Sequence, residues 1–210
     1  MVTIIGNGLG DYTFDNLEVN FCEFDKIICD TNFKENGNNI LKCDFQIAKE
    51  YIVNNYNKEN ILYVVTGSPF FFSTGVSIAK ELPYDQVKII NNTSSKFYIQ
   101  EKLFISDQEI DTFSLKDNED IDLTKFLKNT YTFILCDRFT IPKIQDQIKL
   151  LKPQDIEATI GYKLGYDDEI IEQINLFNLS YRAFDMDYPY VLVIKRLFSP
   201  KSEVNNIENI

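Results

Sequence analysis

The sequence contains no histidine, and this absence excludes several kinds of catalytic site. A triad built on histidine, a His-Glu-x-x-His zinc site and a histidine general base are all impossible in this chain. The four cysteines, Cys22, Cys29, Cys43 and Cys136, include no Cys-x-x-Cys pair. We therefore expect buried thiols rather than a disulfide framework or a metal site, and we predict that the functional site holds no metal.

Positive charge is also scarce. The chain has 21 basic and 32 acidic residues, which gives a net charge of −11. Only three of the basic residues are arginines, namely Arg138, Arg182 and Arg196. A surface with this charge repels phosphate groups, so we expect neither nucleic acid nor an anionic membrane as a partner.

No stretch of the sequence approaches the ~18–20 consecutive apolar residues that span a bilayer. Residues 1–6 carry neither a basic region nor the long apolar core of a secretion signal. We interpret them as a core strand and expect a cytoplasmic protein. Apolar residues make up 44% of the chain, enough for a substantial core.

Strand-like and helix-like segments alternate along the chain, which predicts an α/β fold with a parallel sheet and helical crossovers. We predict one α/β domain over residues 1–100, a second over 101–200, and a disordered polar tail over 201–210. The predicted strands are 2–5, 26–30, 61–65, 86–90, 130–135, 158–162 and 190–196. The predicted helices are 44–55, 74–82, 142–151 and 169–174, and a further helix begins at 123–128.

Small or polar residues follow five of the predicted strands. Ligands of open parallel sheets bind beyond the carboxyl ends of the strands. Glycine and serine let a ligand approach the backbone, and threonine, serine and asparagine offer hydrogen bonds without charge. The sequence therefore predicts a ligand cleft at these ends, which are residues 6–11, 66–69, 92–95, 136–138 and 163–165.

The first of these loops tests for a dinucleotide site. Gly6, Gly8 and Gly10 form G-x-G-x-G, and Asp11 stands where the dinucleotide fingerprint requires its third glycine. A carboxylate there repels a pyrophosphate, so a dinucleotide is disfavoured. Two interpretations of Asp11 remain open: it contacts a cationic or zwitterionic ligand, or it caps a following helix.

Three consecutive phenylalanines, Phe70, Phe71 and Phe72, follow Pro69 in the second loop. Successive side chains diverge, so we expect at least one to form an apolar wall of the cleft. The alternative is that all three fill core or dimer contacts.

In this order, the loops resemble the motifs of the tetrapyrrole methylase family, which uses S-adenosylmethionine as its methyl donor. Residues 6–11 (GNGLGD) resemble GxGPGD, and residues 66–72 (TGSPFFF) resemble SGDPxFxG. Residues 91–95 (NNTSS) resemble PGxSS, with Asn91 and Asn92 in place of Pro-Gly. Leu9 replaces the usual proline of the first motif, and Ser68 replaces the aspartate of the second.

Two later segments resemble the branch of this family that methylates carbon-5 of a precorrin, the precorrin-6Y C5,15-methyltransferase type. Residues 134–142 (ILCDRFTIP) are similar to VLTDGRNTP, and residues 164–169 (LGYDDE) are similar to the end of ENLGYPDE. The SLHGR stretch of this branch is reduced to residues 114–117 (SLKD), without histidine or arginine. The resemblance extends from Ile4 to about Arg196.

The resemblance implies a two-domain fold, with an N-terminal parallel sheet, a C-terminal mixed sheet and the cofactor cleft between them, usually in a homodimer. It also implies a tetrapyrrole substrate, which Arg138 would contact if it is not a surface ion pair, and a possible partner for carbon-15 methylation and decarboxylation. The implied cofactor contacts are Leu9, Thr66, Gly67, Ser68, Phe71, Ser94, Ser95, Cys136 and Leu164.

Two alternatives fit the same residues. One is a methylase of this fold that acts on another tetrapyrrole or on diphthamide. The other is a non-catalytic relic or assembly module, which the replacements at Leu9 and Ser68 would suit.

Overall fold

The computed structural model describes residues 1–115, 129–136, 143–146, 156–177 and 190–197. The chain divides into two compact units, unit 1 (Met1–Tyr98) and unit 2 (Ile99–Ile210). The predicted helix start at 123–128, Arg138 and the predicted tail lie outside the described residues. Of the predicted helix at 142–151, residues 143–146 are described, and they are helical.

Five parallel strands form the sheet of unit 1. The sheet order is β3-β2-β4-β1-β5, so β1 lies between β4 and β5. Their apolar, largely β-branched residues favour strands that are covered on both faces. The strands are β1 (Val2–Gly6), β2 (Lys26–Cys29), β3 (Ile40–Lys42), β4 (Ile61–Val65) and β5 (Val87–Ile90).

Polar side chains fix the starts of the helices. The Asp44 carboxylate accepts a hydrogen bond from the backbone N–H of Ile47 at 3.0 Å, and Ser73 accepts one from Gly75 at 3.2 Å. Such caps satisfy N–H groups that have no partner within the helix. The helices are α1 (Phe45–Asn55), α2 (Thr74–Ala79) and α3 (Ser95–Leu103), and short 3₁₀ turns cover Phe21–Glu23, Tyr84–Gln86 and Asp107–Glu109.

The parallel sheet has a core on each face. On one face, Ile4, Tyr63 and Val65 pack with Ile52 of α1 and Ile78 of α2. The opposite face carries a second cluster, in which aromatic side chains from the segment between β1 and β3 cover the strands; its buried members are Ile5, Phe14, Leu17, Ile27, Cys29, Phe33, Leu62 and Val64.

Unit 2 contains a mixed sheet in the order β6-β7-β10-β8-β9. Strand β6 runs parallel to β7, and the other pairings are antiparallel. The strands are β6 (Ile110–Ser114), β7 (Tyr131–Cys136), β8 (Ile156–Tyr162), β9 (Ile170–Ile174) and β10 (Tyr190–Arg196). The predicted fold class is confirmed: the protein is α/β, with an N-terminal parallel sheet and a C-terminal mixed sheet.

The predicted helix at 169–174 is wrong, because these residues form β9. Ile170 pairs with Tyr162, and the pairing continues along β8 to Ile174 opposite Ala158. A turn with Lys163 and Gly165 at positive φ reverses the chain between the two strands. The backbone N–H and C=O groups at the edge of β8 are thus hydrogen-bonded by β9, whereas a helix at 169–174 would leave them without these partners.

Other elements also differ from the sequence prediction, and helix α3 (Ser95–Leu103) was not among the predicted helices. The predicted helix at 74–82 ends early, because α2 stops at Ala79. Strand β3 was not predicted; it has only three residues, all half-buried. None of the helices in the described part of the chain combines the length and the apolar character needed to cross a bilayer.

Candidate functional site

Three loops meet at one edge of the parallel sheet. Gly6 at the end of β1 pairs with Val65 at the end of β4, and Ile5 pairs with Ile90 at the end of β5. Because these strands are parallel and end level, the loops that follow them start side by side. We call residues 6–11, 66–72 and 91–95 the loop cluster.

The β1 and β4 loops are joined through their backbones. Gly8 N–H donates to the Gly67 carbonyl at 3.2 Å, and Gly67 N–H donates to the Gly8 carbonyl at 3.1 Å. Gly67 N–H also lies 3.2 Å from the Asn7 side-chain oxygen. Gly8 and Gly67 have φ values of 77° and 68°, which only glycine adopts without strain, so this bridge requires glycine at both positions.

Gly6 is required for a different reason, the close approach of the β4 loop. A Cβ atom on Gly6 would lie 2.1 Å from the Gly67 carbonyl oxygen and 2.8 Å from Cδ of Pro69. No side chain fits at these distances. The glycines that sequence analysis assigned to close ligand approach therefore serve first to bring two loops of the protein together.

The β5 loop is tied to both of the others by two asparagines. The side-chain amide of Asn92 donates to the Gly6 carbonyl at 3.0 Å and accepts from Thr93 N–H at 2.8 Å. The Ser68 hydroxyl donates to the Asn91 side-chain oxygen at 2.7 Å. Each pair of loops is thus connected, and the three connections form a closed ring.

Ser68, a predicted cofactor contact, is buried in this ring with 4% of its surface exposed. Its hydroxyl oxygen accepts a hydrogen bond from Phe70 N–H at 3.1 Å, while the same hydroxyl donates to the Asn91 side-chain oxygen. The serine that replaces the aspartate of the family motif therefore bonds the asparagine that replaces the proline of another motif.

Of the three phenylalanines, Phe70 and Phe72 are exposed by 61% and 55%. This exposure contradicts a core role for all three. Phe71 is half-buried, and its ring meets that of Phe72 edge-on at 4.7 Å between centroids. Phe72 has a φ of 44°, which is unusual for an aromatic residue and directs the chain towards α2.

Ser94 and Ser95 stand at the start of α3. Ser94 is buried, and its hydroxyl accepts a hydrogen bond from Phe97 N–H at 3.3 Å. The Ser94 carbonyl accepts from Tyr98 N–H at 3.0 Å, which begins the helix. The structure thus places seven of the predicted cofactor contacts in the loop cluster, namely Leu9, Thr66, Gly67, Ser68, Phe71, Ser94 and Ser95.

The predicted contacts Cys136 and Leu164 belong to unit 2. Cys136 at the end of β7 and Tyr162 at the end of β8 both pair with Tyr190, so the ends of these strands flank the start of β10. Cys136 is buried, and its thiol donates to the Ile134 carbonyl at 3.3 Å. Leu164 is buried in the turn that follows β8. Arg138, the predicted substrate contact, lies outside the described residues.

Lys163, in the turn after β8, is a positively charged residue that sequence reasoning missed. The ammonium group of Lys163 lies 2.6 Å from the Asp168 carboxylate and 5.6 Å from the centre of the Tyr162 ring. Lys163 adopts a φ of 50°, and Gly165 N–H donates to the Glu169 carboxylate at 2.8 Å. Asn7, Asn91 and Asn92 were also missed as individual contacts, although their position directly after strands was the available signal.

Asp11 is the one ionisable residue of the loop cluster. No helix follows β1 directly, so the interpretation of Asp11 as a helix cap is wrong. Its carboxylate forms an exposed ion pair with Lys34 at 2.9 Å, and its carbonyl accepts from the Asn7 amide at 3.2 Å. The rest of the cluster offers uncharged hydrogen-bonding groups, glycine backbone and aromatic surface.

Tyr63 in β4 is the titratable residue near the loop cluster whose pKa is shifted by burial. Burial raises the pKa of Tyr63, whose hydroxyl lies 2.9 Å from that of Thr74 at the start of α2. Within the described residues, no group of three or more carboxylate or cysteine side chains is placed to hold a metal ion. The arrangement is suited to binding a polar ligand by position, and Asp11, which pairs with Lys34, is its one ionisable side chain.

The sequence matches no protein-family model and no curated protein. The structure, in contrast, matches solved methyltransferases over most of its length. A precorrin-6Y methylase from Archaeoglobus fulgidus superposes with a TM-score of 0.65 at 18% identity, covering 93% of this chain and 98% of that one. The protein has the tetrapyrrole methylase fold.

Two further structures with the tetrapyrrole methylase fold bear on the site. A uroporphyrin-III C-methyltransferase from Thermus thermophilus, complexed with S-adenosylhomocysteine, has a TM-score of 0.68 and 13% identity over 92% of this chain and 96% of that one. A diphthine synthase has a TM-score of 0.69 and 12% identity over 92% and 89% of the two chains. Likenesses at these identities show the fold.

Proposed function

We propose that the protein is an S-adenosylmethionine-dependent methyltransferase and that the loop cluster holds its cofactor. The observation that carries this proposal is the closed ring of hydrogen bonds joining three strand-end loops, in a fold whose solved examples include a methyltransferase complexed with S-adenosylhomocysteine. Leu9, Thr66, Gly67, Ser68, Phe71, Ser94 and Ser95 are the proposed contacts in unit 1. Cys136 and Leu164 are the proposed contacts in unit 2.

The residues of the loop cluster fit such a cofactor. Apart from Gly67 and its two chain neighbours, no described residue has a heavy atom within 4 Å of the position that a Cβ on Gly67 would occupy, so a ligand can approach this turn closely. Thr66, Asn91 and Thr93 are exposed beside it and provide uncharged donors and acceptors. Phe71 supplies an apolar surface next to these polar groups.

Methyl transfer suits a site whose one ionisable side chain is Asp11. S-adenosylmethionine supplies a methyl group on an already activated sulfonium, so alignment with the accepting carbon provides much of the rate. The loop cluster, fixed by its own hydrogen bonds, can hold a ligand in one orientation at little further entropic cost. The absence of histidine is compatible with this chemistry.

For the substrate, we propose a precorrin that is methylated at carbon-5. The similarity of residues 134–142 and 164–169 to that branch supports this choice, and so does the fold shared with a precorrin-6Y methylase. Arg138 is the proposed contact for a substrate carboxylate. We further propose a cytoplasmic homodimer and a separate partner for the carbon-15 chemistry.

The shared fold of a diphthine synthase favours one specific second candidate, a methylase that acts on diphthamide. Incubation with S-adenosylmethionine carrying a labelled methyl group distinguishes the two substrates. We expect label in the corrinoid intermediate, located at carbon-5 by NMR, and none in diphthamide-containing elongation factor. Label in the elongation factor alone would replace the substrate proposal, and transfer to neither acceptor, with the cofactor bound, would favour a non-catalytic module.

A further inference from the structure

Asn91 and Asn92 occupy two positions where the chain departs from the family motif that it resembles, and both side chains point into the loop cluster. Asn91 bonds to Ser68, which is itself a departure from a motif. Asn92 donates to the carbonyl of Gly6, the first residue of the first motif. These departures are therefore connected in space rather than scattered.

The Asn92 side chain fills the gap between the β5 and β1 loops. A Cβ added to Gly8 would lie 3.0 Å from its oxygen and 3.2 Å from its nitrogen, so the amide packs directly against the glycine turn. Its nitrogen donates to the carbonyl of Gly6, whose own position is fixed by the β4 loop. Moving this amide would change the spacing of all three loops.

We propose that Asn91 and Asn92 are positioning residues for the cofactor: through Ser68 and Gly6 they set the separation of the β4 and β1 loops that contact it. The proposal rests on the proposed function of the loop cluster. Asn92 acts on the glycine turn at Gly8, and Asn91 acts on the turn at Ser68. The pair thus replaces the rigidity that a Pro-Gly segment gives by its backbone with rigidity from side-chain hydrogen bonds.

Asn92→Asp tests the proposal with almost no change of shape. The substitution puts a carboxylate oxygen against the Gly6 carbonyl, 3.0 Å away, where an amide donor now stands. Two acceptors repel at this distance, so we expect the dissociation constant for S-adenosylhomocysteine to rise at least tenfold at pH 8. If the aspartate variant does not fold, Asn92→Ala takes its place in the test. It removes the donor without adding charge, and it should also weaken binding.

Protonation provides a readout that a general loss of stability would not show. A protonated carboxyl at position 92 can donate to Gly6 again, so the ratio of variant to wild-type affinity should recover as the pH falls towards 5. The ionisable groups in the neighbouring segments are Asp11, which pairs with Lys34, and Lys96 in the first turn of α3. Both are present in the wild type, and the ratio removes their contribution.

The matched control is Asn57→Asp, which makes the same change of charge at an exposed position after α1. Its affinity for S-adenosylhomocysteine should stay within twofold of the wild type. Wild-type affinity in both Asn92 variants, measured where each is folded, would overturn the positioning role and leave the proposed function intact. A wild-type protein that does not bind S-adenosylhomocysteine would overturn the proposed function and this inference with it.

Discussion

Burial divides the cysteines of unit 1 into two chemical kinds. Cys29 lies in β2 with none of its surface exposed, and burial raises the pKa of its thiol to about 12. Burial also raises the pKa of Cys43, which directly follows β3. Cys22 in the segment after β1 is exposed, so the expectation of a buried thiol is wrong for this residue. Only the thiolate reacts with alkylating agents, so exposure and pKa act in the same direction.

We therefore predict that iodoacetamide at pH 8 modifies Cys22 in the folded protein and leaves Cys29 and Cys43 unmodified. Peptide mapping by mass spectrometry before and after unfolding in urea measures this. Equal labelling of Cys22 and Cys29 without denaturant would contradict the structure of the β2 region.

The pKa of Cys29 in the folded protein lies above the value of 9.0 for an unperturbed thiol. The contribution of this thiol to the free energy of unfolding is therefore complete below pH 9 and is lost as the pH rises towards about 12.

Single residues also show where sequence reasoning stops. The position of Ser68 at a strand end was predictable, because it follows an unmistakable apolar strand. Its bond to Asn91 was not, because that contact depends on two strands lying on either side of β1 with their ends level. Asp11 shows the opposite case: the chain after β1 forms turns instead of a helix, so no helix end was available to cap.

At the scale of elements, the strands with apolar runs were predicted within one or two residues, whereas β3 was not predicted and β9 was predicted as a helix. Strand β4 is buried along its whole length, and its sequence shows this directly. Strand β9 is half-exposed and carries glutamate and glutamine between isoleucines, a pattern shared with helices. Pairing with β8 decides between the two, and pairing is a tertiary interaction that local sequence does not contain.

The close approach of the β1 and β4 loops at Gly6 and Gly67 leads to a prediction at the same scale. Gly6→Ala would place a Cβ 2.1 Å from the Gly67 carbonyl oxygen and 2.8 Å from Cδ of Pro69, and neither a backbone carbonyl nor a proline ring can easily move aside. We expect the free energy of unfolding to fall by about 3 kcal/mol or more, as for severe overpacking. Urea titration of the purified variant measures the change.

Gly37→Ala is the control for this substitution. Its Cβ would lie 3.3 Å from Cδ1 of Ile40, the flexible end of a side chain, and Gly37 is exposed. We expect an effect within about 0.5 kcal/mol. Equal decreases in the free energy of unfolding for the two substitutions would mean that the β1 and β4 loops do not approach each other as closely as described.

At the scale of the whole molecule, the order of strand and loop segments was enough to predict the α/β class. A parallel sheet brings the ends of β1, β4 and β5 to one edge whatever the details of the loops, which explains why seven predicted contacts lie together. The predicted domain limits at residue 100 and the proposed homodimer stay predictions. So does the role of Arg138, since that residue lies outside the described part of the chain.

The central claim is that the loop cluster binds S-adenosylmethionine, and calorimetric titration with S-adenosylhomocysteine tests it most directly. We predict one site per chain with a dissociation constant between micromolar and sub-millimolar, about −5 to −8 kcal/mol. The titration should be made on protein purified without added metal, because the proposed site needs none. If millimolar S-adenosylhomocysteine produced no heat of binding and no thermal shift, the claim would be contradicted.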